Sequence, residues 1–578
     1  MKFSPWFLCA VFLAVAGQRS AWGQNRKHEA ASNLSAAQNL PGPDAADTGP
    51  QGSTYIPVDW WIYSAVARLQ ALGYVDTAYL GLRPWTRLSV LHMLERSEPR
   101  IEANPQDEEA RRIFLALARE FQPDLERASG MVRPHVQLES VYSAFRGIGG
   151  APLRDSYHLG QSIVDDYGRP YEGGFNDYSG FSARAQVGRW SLYWRGEYQH
   201  APSAMGYSPA LAAFLSNTLD QVPYATNPHQ DTIPAGLIPT ANDMRVLEAN
   251  LSFHLAGHEI SFGKTDQWLG PAKGASMLWS NNAEDIYQFQ INRIEPLYIP
   301  LLSKLTGPFR YVFFVGSLKG HTAPEGPWVH MEKISFKPTR NLELGFDRMA
   351  IWGGEGHEPI TLHTFLKSFF SFSNVPGSVK YSRNDPGYRL GTFDLTWRLP
   401  FLRKWVTLYT DSLVHDDVSP VSAPRRAGYR PGIYLARFPR FQNLSLRVEA
   451  ATTDTISSSL QDGQFLYWEQ VQKQGPTNKG FLVGDWIGRQ GKGGQAWLTY
   501  HLSPRQEIGF EYRRAKAAAG FIPGGTTQND FIVRARKRIR RQLEIRGQLQ
   551  YEQWKAPIYK PGRQSDTTAA FELTWYPF

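Results

Sequence analysis

The sequence predicts an all-β transmembrane barrel of about 18 antiparallel strands, with a small N-terminal helical module at its periplasmic end. Three observations carry that expectation. From Met131 onward apolar residues recur at every second position while the opposite face of each segment carries charges. The connections between these segments alternate between tight turns and loops of tens of residues, as the two rims of an outer-membrane barrel do. An export signal opens the chain, and the lone cysteine, Cys9, lies inside it. The averages point elsewhere: 42% hydrophobic, 20% charged and a mean hydropathy of −0.40 describe a soluble protein. A barrel strand needs only one apolar face, so its membrane band is diluted in any such mean. Composition also excludes a disulfide scaffold, a zinc ribbon and a helical membrane protein.

Residues 1–23 read as a signal peptide. Lys2 supplies the positive end, Trp6 to Ala16 the short apolar run, and Ala21-Trp22-Gly23 the small residues before cleavage at Gln24. Residues 24–56 are polar and aperiodic, a flexible linker. Residues 57–130 read as a periplasmic helical module. Asp59 is the candidate cap of a first helix carrying Ile62, Val66, Leu69 and Leu72, which Gly73 ends. A second helix follows Thr86 with Leu88, Leu91, Met93 and Leu94. A third runs from about Asp107 to Phe121 with Ile113, Leu115 and Leu117, and Pro123 and Gly130 close the region.

Residues 131–578 form the barrel. Alternation is clearest near 181–188, 190–200, 246–255, 444–452 and 542–552: Trp190, Leu192, Trp194 and Tyr198 oppose Ser191, Tyr193, Arg195 and Glu197. The turns at 188–189, 256–258, 337–341, 399–404 and 503–506 are tight, whereas 146–180, 201–245, 352–387 and 453–494 are long. The ending Phe571-Glu-Leu-Thr-Trp-Tyr-Pro-Phe578 resembles the C-terminal signal of outer-membrane barrels. No repeat of propeller length recurs.

Catalytic and metal motifs are missing: there is no G-x-S-x-G, no H-E-x-x-H, no P-loop and no Cys/His cluster. No cofactor and no metal are expected, and a Ser/His/Asp set could still assemble across loops without leaving a local trace. His415-Asp416-Asp417 and Glu355, His357 and Glu358 read as solvated loop residues. With Lys2 and Arg19 removed, 60 basic residues face 53 acidic ones, so no nucleic acid is implied. The run Arg534 to Arg541 straddles a tight turn and suits lipid headgroups or solvent.

The segment Gly263 to Asn282 joins two strands yet is dense in Trp, Gly, Asp, Asn and Lys. Aromatic faces stack on sugar C–H surfaces while carboxylates and amides take hydroxyl pairs, so Lys264, Asp266, Trp268, Lys273, Trp279, Asn281 and Asn282 are candidate glycan contacts. The competing place for Trp268 and Trp279 is the interfacial aromatic girdle. Other long loops add Trp352, Asp385, Tyr388, Arg389, Asp416 and Asp417.

That segment resembles the signature of the capsule assembly Wzi family of outer-membrane proteins. So does the module Val58-Asp-Trp-Trp-Ile-Tyr63 … Leu69-Gln-Ala-Leu-Gly-Tyr74, with Gly81-Leu-Arg-Pro-Trp-Thr-Arg87 after it. The resemblance covers roughly residues 55–578. It implies an eighteen-stranded barrel with a periplasmic helical bundle that acts as a non-enzymatic surface lectin retaining capsular polysaccharide. The expected partners are capsular or extracellular polysaccharide and outer-membrane lipid, with polysaccharide export machinery as a further candidate. A monomer is expected. The alternative is a diffusion channel or specific porin, its lumen lined by Arg184, Arg195, Glu197, Glu248, Arg447, Glu449, Glu544 and Arg546. A barrel hydrolase is the third reading.

Overall fold

The computed structural model describes residues 51–128, 134–226, 230–372, 375–402, 405–415, 427–454 and 463–577. The signal peptide, most of the linker, Asp416 and Asp417 lie outside the described residues. Eighteen antiparallel strands, each hydrogen-bonded to the next in the chain, close on themselves. They are β1 (His135–Gly150), β2 (Gly174–Val187), β3 (Trp190–Ala201), β4 (Ala241–Leu255), β5 (His258–Lys264) and β6 (Tyr287–Arg293). Then come β7 (Phe309–Ser317), β8 (Trp328–Thr339), β9 (Leu342–Trp352), β10 (Tyr388–Arg398), β11 (Val406–His415) and β12 (Gly428–Leu435). The last are β13 (Leu444–Thr452), β14 (Gly491–Ser503), β15 (Gln506–Ala517), β16 (Thr526–Ile539), β17 (Leu543–Ala556) and β18 (Lys560–Trp575). Closure runs from Val141 opposite Trp575 to Gly150 opposite Asp566, so no edge remains unpaired. Among the described residues no helix is long and apolar enough to cross a membrane, which leaves the strands as the spanning elements.

The alternation sorts as its period demands. Phe181, Val187, Trp190, Leu192 and Leu251 are exposed on the outer face, while Ser182, Arg184, Arg195, Glu248 and Asn250 are buried inside. Outward aromatics form two belts. Trp190, Trp397 and Trp575 sit at the short-turn ends of their strands, and Tyr287 and Trp328 at the long-loop ends. Several strands outrun their predicted ends: β1 continues to Gly150, and β2 and β18 begin at Gly174 and Lys560. Beyond the apolar band both faces of a strand meet polar surroundings, so pairing persists where alternation stops.

The helical module fills the short-turn mouth. Its helices are α1 (Trp61–Ala71), α2 (Arg87–Glu102) and α3 (Glu108–Ala128). Ile62, Val66, Leu69 and Leu72 are buried together with Trp85, Leu91, Met93, Ile113 and Leu117. Leu115, half a turn away from that stripe, is exposed. Thr86 caps α2 by accepting from the Ser89 N–H at 3.2 Å. Two expectations need correction. Asp59 does not cap α1; Trp60 holds the cap position, and Asp59 pairs with Arg195 at 2.9 Å. Pro123 does not end the third helix, which runs on to Ala128. Residues 51–56, which composition assigns to the linker, are pinned: Gly52 N–H donates to Gly188 O at 2.9 Å, and Tyr55 bridges Thr86.

Guanidinium anchors tie the module to the barrel wall. Arg398 donates to Gln70 O and Asp76 at 2.5 Å, Arg68 to Gln442 O at 3.0 Å, and Arg437 to Asp107 at 3.0 Å. Arg505 reaches Glu120 at 2.6 Å, and Arg195 holds Asp59.

Candidate functional site

The segment after β5 turns inward. Instead of standing above the long-loop rim, residues 265–286 descend through the lumen until Trp268 pairs with Arg83 in the helical module. Val58 N–H donates to Asp266 Oδ2 at 2.8 Å, and the Lys273 and Gly274 amides donate to Glu449 at 2.8 and 3.0 Å. Met277 N–H donates to Asp411 at 2.8 Å. A Cβ on Gly274 would lie 1.8 Å from Gln495 Oε1 and 2.8 Å from the Trp497 ring, so a larger residue would displace these luminal side chains. Leu278, Trp279, Ala283 and Ile286 pack on inward-facing Val312, Phe314, Met331, Met349, Leu390 and Leu413. The inner face of the wall from β7 to β11 is therefore apolar where this segment packs, at Val312, Phe314, Met331, Met349, Leu390 and Leu413, while Lys333, Asp347, Asp394 and Arg398 are buried on the same strands nearer the helical module. It seats a plug rather than water.

The candidate glycan residues of this segment are mostly consumed by the protein. Lys264 donates to Val246 O at 2.8 Å and pairs with Glu284. Asp266 is fully buried and accepts from Tyr167 OH at 2.9 Å. Burial, reinforced by the charge of Asp59, pushes its carboxyl up to about 7. Trp268 donates to Ala272 O at 3.1 Å, and Trp279 packs edge-on against Phe314 at 5.0 Å, so neither stands in the girdle. Asn281 is buried and accepts from the Tyr167 amide through its backbone carbonyl. Asn282 accepts from the Asp165 amide and donates to Leu482 O. Lys273 alone is open, and it faces a cavity in the lumen rather than the outside.

Of the remaining candidates, Trp352 ends β9 buried against His330 at 5.2 Å. Asp385 is buried, held by His357 at 3.1 Å and by the Gly387 amide at 3.0 Å. Arg389 is buried in β10 and donates to Ser371 Oγ at 3.0 Å. Tyr388 donates its hydroxyl to Phe465 O at 3.0 Å. Contrary to its expected place in a solvated loop, Glu358 is also buried.

Above the plug the long loops lock into a dome. Tyr157 OH donates to Lys473 O at 2.7 Å, Trp468 Nε1 to Asp220 O at 3.1 Å, and Gln472 to Gly353 O at 2.9 Å. His158 lies between Asp155 at 3.1 Å and Asp220 at 3.0 Å, and Arg489 completes the group at 2.7 Å from Asp220. Burial would depress this imidazole, but the two carboxylates on its two nitrogens push it up to about 9.

The outer face of the dome carries a cluster the sequence did not single out. Tyr381 is 68% exposed and donates to Gln470 at 3.2 Å; exposed Arg383 and Asn384 follow it, and Lys367 donates to Arg383 O at 3.1 Å. An aromatic face flanked by a guanidinium and two amides is the chemistry that receives sugars. Its only sequence signal is the run Tyr381-Ser-Arg-Asn384 just before Asp385. Gln470 lies in a different loop, so the pairing is invisible along the chain.

Comparison with known proteins places the chain. The sequence model of the capsule assembly protein Wzi matches residues 144–569. A Klebsiella pneumoniae protein described as an uncharacterized 55.8 kDa protein in the cps region is 27% identical over 161 residues, covering 28% of this chain and 31% of that protein. The match therefore spans under a third of this curated relative's length. Among solved structures, the Escherichia coli Wzi barrel superposes with a TM-score of 0.64 at 16% identity over 91% of this chain and 99% of that one. Its description calls it an outer-membrane protein involved in group 1 capsule assembly and a carbohydrate-binding β-barrel. At that identity the likeness establishes the fold. The match of the family's sequence model over most of the chain establishes the rest: this protein belongs to the capsule assembly protein Wzi family.

Proposed function

We propose that this protein is a non-enzymatic outer-membrane lectin that holds capsular or extracellular polysaccharide at the cell surface. The helical module then faces the periplasm and the loop dome faces outward. The observation that carries the reading is the closed dome with its exposed Tyr381, Arg383, Asn384 and Gln470, set over a lumen filled by the helical module and by residues 265–286. A wall that spends its inner face on seating a plug is suited to display rather than passage. The carbohydrate binding attributed to the Escherichia coli barrel of the same fold supports the assignment. Asp385 and Arg389, buried directly behind the cluster, act as its support rather than as contacts.

The test is retention. In a deletion strain polysaccharide should move from the cell pellet to the medium, and the full chain should restore it. The double variant Tyr381→Ala, Arg383→Ala should reach the outer membrane in normal amount and restore roughly a tenth or less of retention, the scale of losing about 1.4 kcal/mol or more of contact energy. Polysaccharide that stays cell-bound in the deletion strain sinks the reading.

A further inference from the structure

Between α1, the inward segment and the wall from β12 through β18 round to β3 lies a cavity of about 560 Å³. That size falls within the roughly 300–1,000 Å³ of small-molecule sites. Among the described residues, ten Arg and Lys side chains line it against six Asp and Glu. Seven of these cations have a carboxylate within 4 Å, for example Arg534 with Glu511 at 2.6 Å and Arg513 with Asp530 at 2.7 Å. Arg83, Lys273 and Arg447 pair with none among the described residues.

These three sit on aromatic rings instead. Lys273 Nζ lies 5.0 Å from the Trp497 centroid, Arg447 4.2 Å from Tyr434, and Arg83 5.6 Å from Trp268. Glu449 acts on Arg83 and Arg447 through its charge but offers them no hydrogen bond. It is saturated by the amides of Lys273 and Gly274, by Tyr409 OH at 2.6 Å and by Arg430 at 3.0 Å. Enclosure within the lumen and the charge of Arg447 pull the Lys273 ammonium down to about 8, against the opposing charges of Glu507 and Glu511. Arg83 and Lys273 arrive from the two segments that carry the family resemblance, Gly81–Arg87 and Gly263–Asn282, while Arg447 stands on β13 directly opposite Trp497 of β14. Three chain segments thus deliver cations without a direct carboxylate partner, and aromatic walls, to one cavity, where low dielectric favours an oxyanion partner.

We propose that this cavity is a binding site for an oxyanion, either the carboxylate of a sugar acid or a free inorganic anion, held by Arg83, Lys273 and Arg447. Trp60, half-buried at the cavity edge, offers a ring face to a sugar. The site is separate from the dome surface on which polysaccharide retention rests.

Isothermal titration of the full barrel in detergent tests this with sodium glucuronate, inorganic phosphate and glucose as probes. Both anions should bind and glucose should not. Lys273→Gln and Arg447→Gln should each raise Kd at least tenfold. Thr499→Glu, which sets a carboxylate in the cavity one luminal position along β14 from Trp497, should do the same without removing any native contact of the three cations. Glucuronate binding tighter than phosphate identifies a sugar acid, and the reverse identifies a free anion; either supports the site. Tyr381→Ala should leave these affinities unchanged, which separates this site from the dome. The proposal is overturned if neither anion binds, if glucose binds as well as glucuronate, or if Thr499→Glu binds anions as the native chain does.

Discussion

Asp266 shows how a single residue changes meaning between sequence and structure. Along the chain it is a carboxylate in a sugar-like motif; in the fold it is a buried acceptor joining the helical module to the plug through Val58 N–H and Tyr167 OH. Its carboxyl is pushed from 3.8 up to about 7. An acid raised in the folded state contributes stability that is complete below its unfolded value and lost as pH rises through the folded one. The chain should therefore lose stability between about pH 4 and pH 7, by at most about 4 kcal/mol from this group. Asp266→Asn keeps an acceptor and removes the charge. The apparent Tm followed by circular dichroism in detergent should fall from pH 5 to pH 8 in the native chain and stay nearly level in the variant. An equal fall in both would show that other groups set the pH dependence. Nothing in the local sequence marks Asp266 as buried, because its partners lie 208 and 99 residues away.

Among the elements, the loops owe their order to ion groups rather than to apolar packing alone. His158, Asp155, Asp220 and Arg489 join three loops at one fully buried point. The imidazole, raised from 6.5 to about 9, gives stability that is complete below pH 6.5 and lost as pH rises through about 9. Removing it leaves the buried Asp155 without its cation and Asp220 with Arg489 alone, which costs about 3–5 kcal/mol. His158→Ala should make the loops between β1 and β2 and between β3 and β4 cleavable by added protease at pH 7 while the strands stay protected. The native chain should become cleavable there only above about pH 9. Uncut loops in the variant would move the lock elsewhere.

The strands themselves divide by what they face. β2 to β4 and β13 to β17 obey the two-period rule and are legible in the sequence. In β7 to β11 the half of the inner face toward the long loops is apolar as well, as Val312, Phe314, Met331, Met349, Leu390 and Leu413 show, so the contrast between the two faces is weaker there than in β2 to β4. The helices were legible from their apolar patterns, except that Leu115, counted with Ile113 and Leu117, is exposed because it stands half a turn from both. The stop at Pro123 was misread because a proline only disfavours the turn before it. Here helix packing carries α3 through.

On the scale of the whole molecule, barrel, module, plug and dome form one object with an occupied lumen. Arg195 and Arg184, which the sequence also suits to a water-filled channel, lie buried against the helical module, and Arg195 is paired with its Asp59. In planar bilayers the native chain should pass little or no current. Arg398→Ala, which removes the wall's contacts to the Asp76 carboxylate and to Gln70 O at the end of α1, should admit intermittent openings, since removing one partner of a buried pair costs about 3–5 kcal/mol. Steady ohmic conductance of the native chain would restore the porin reading.

The sequence by itself determined the barrel, its strand number, its two unequal rims and the helical cap, because each follows from a period or a length that neighbouring residues share. It also held the family resemblance, in motifs whose identity is local. Only the tertiary structure decided what those motifs do. Whether Trp268, Lys273 or Asp266 meets a glycan, a lipid or the protein depends on which way a 22-residue connection leaves the rim, and that direction is set by Glu449, Asp411 and the apolar inner wall, far away along the chain. Contacts across such separations leave no pattern in a linear sequence. The same inward turn that removed the predicted sugar platform created the cation-lined cavity and left Tyr381 and Arg383 exposed on the dome.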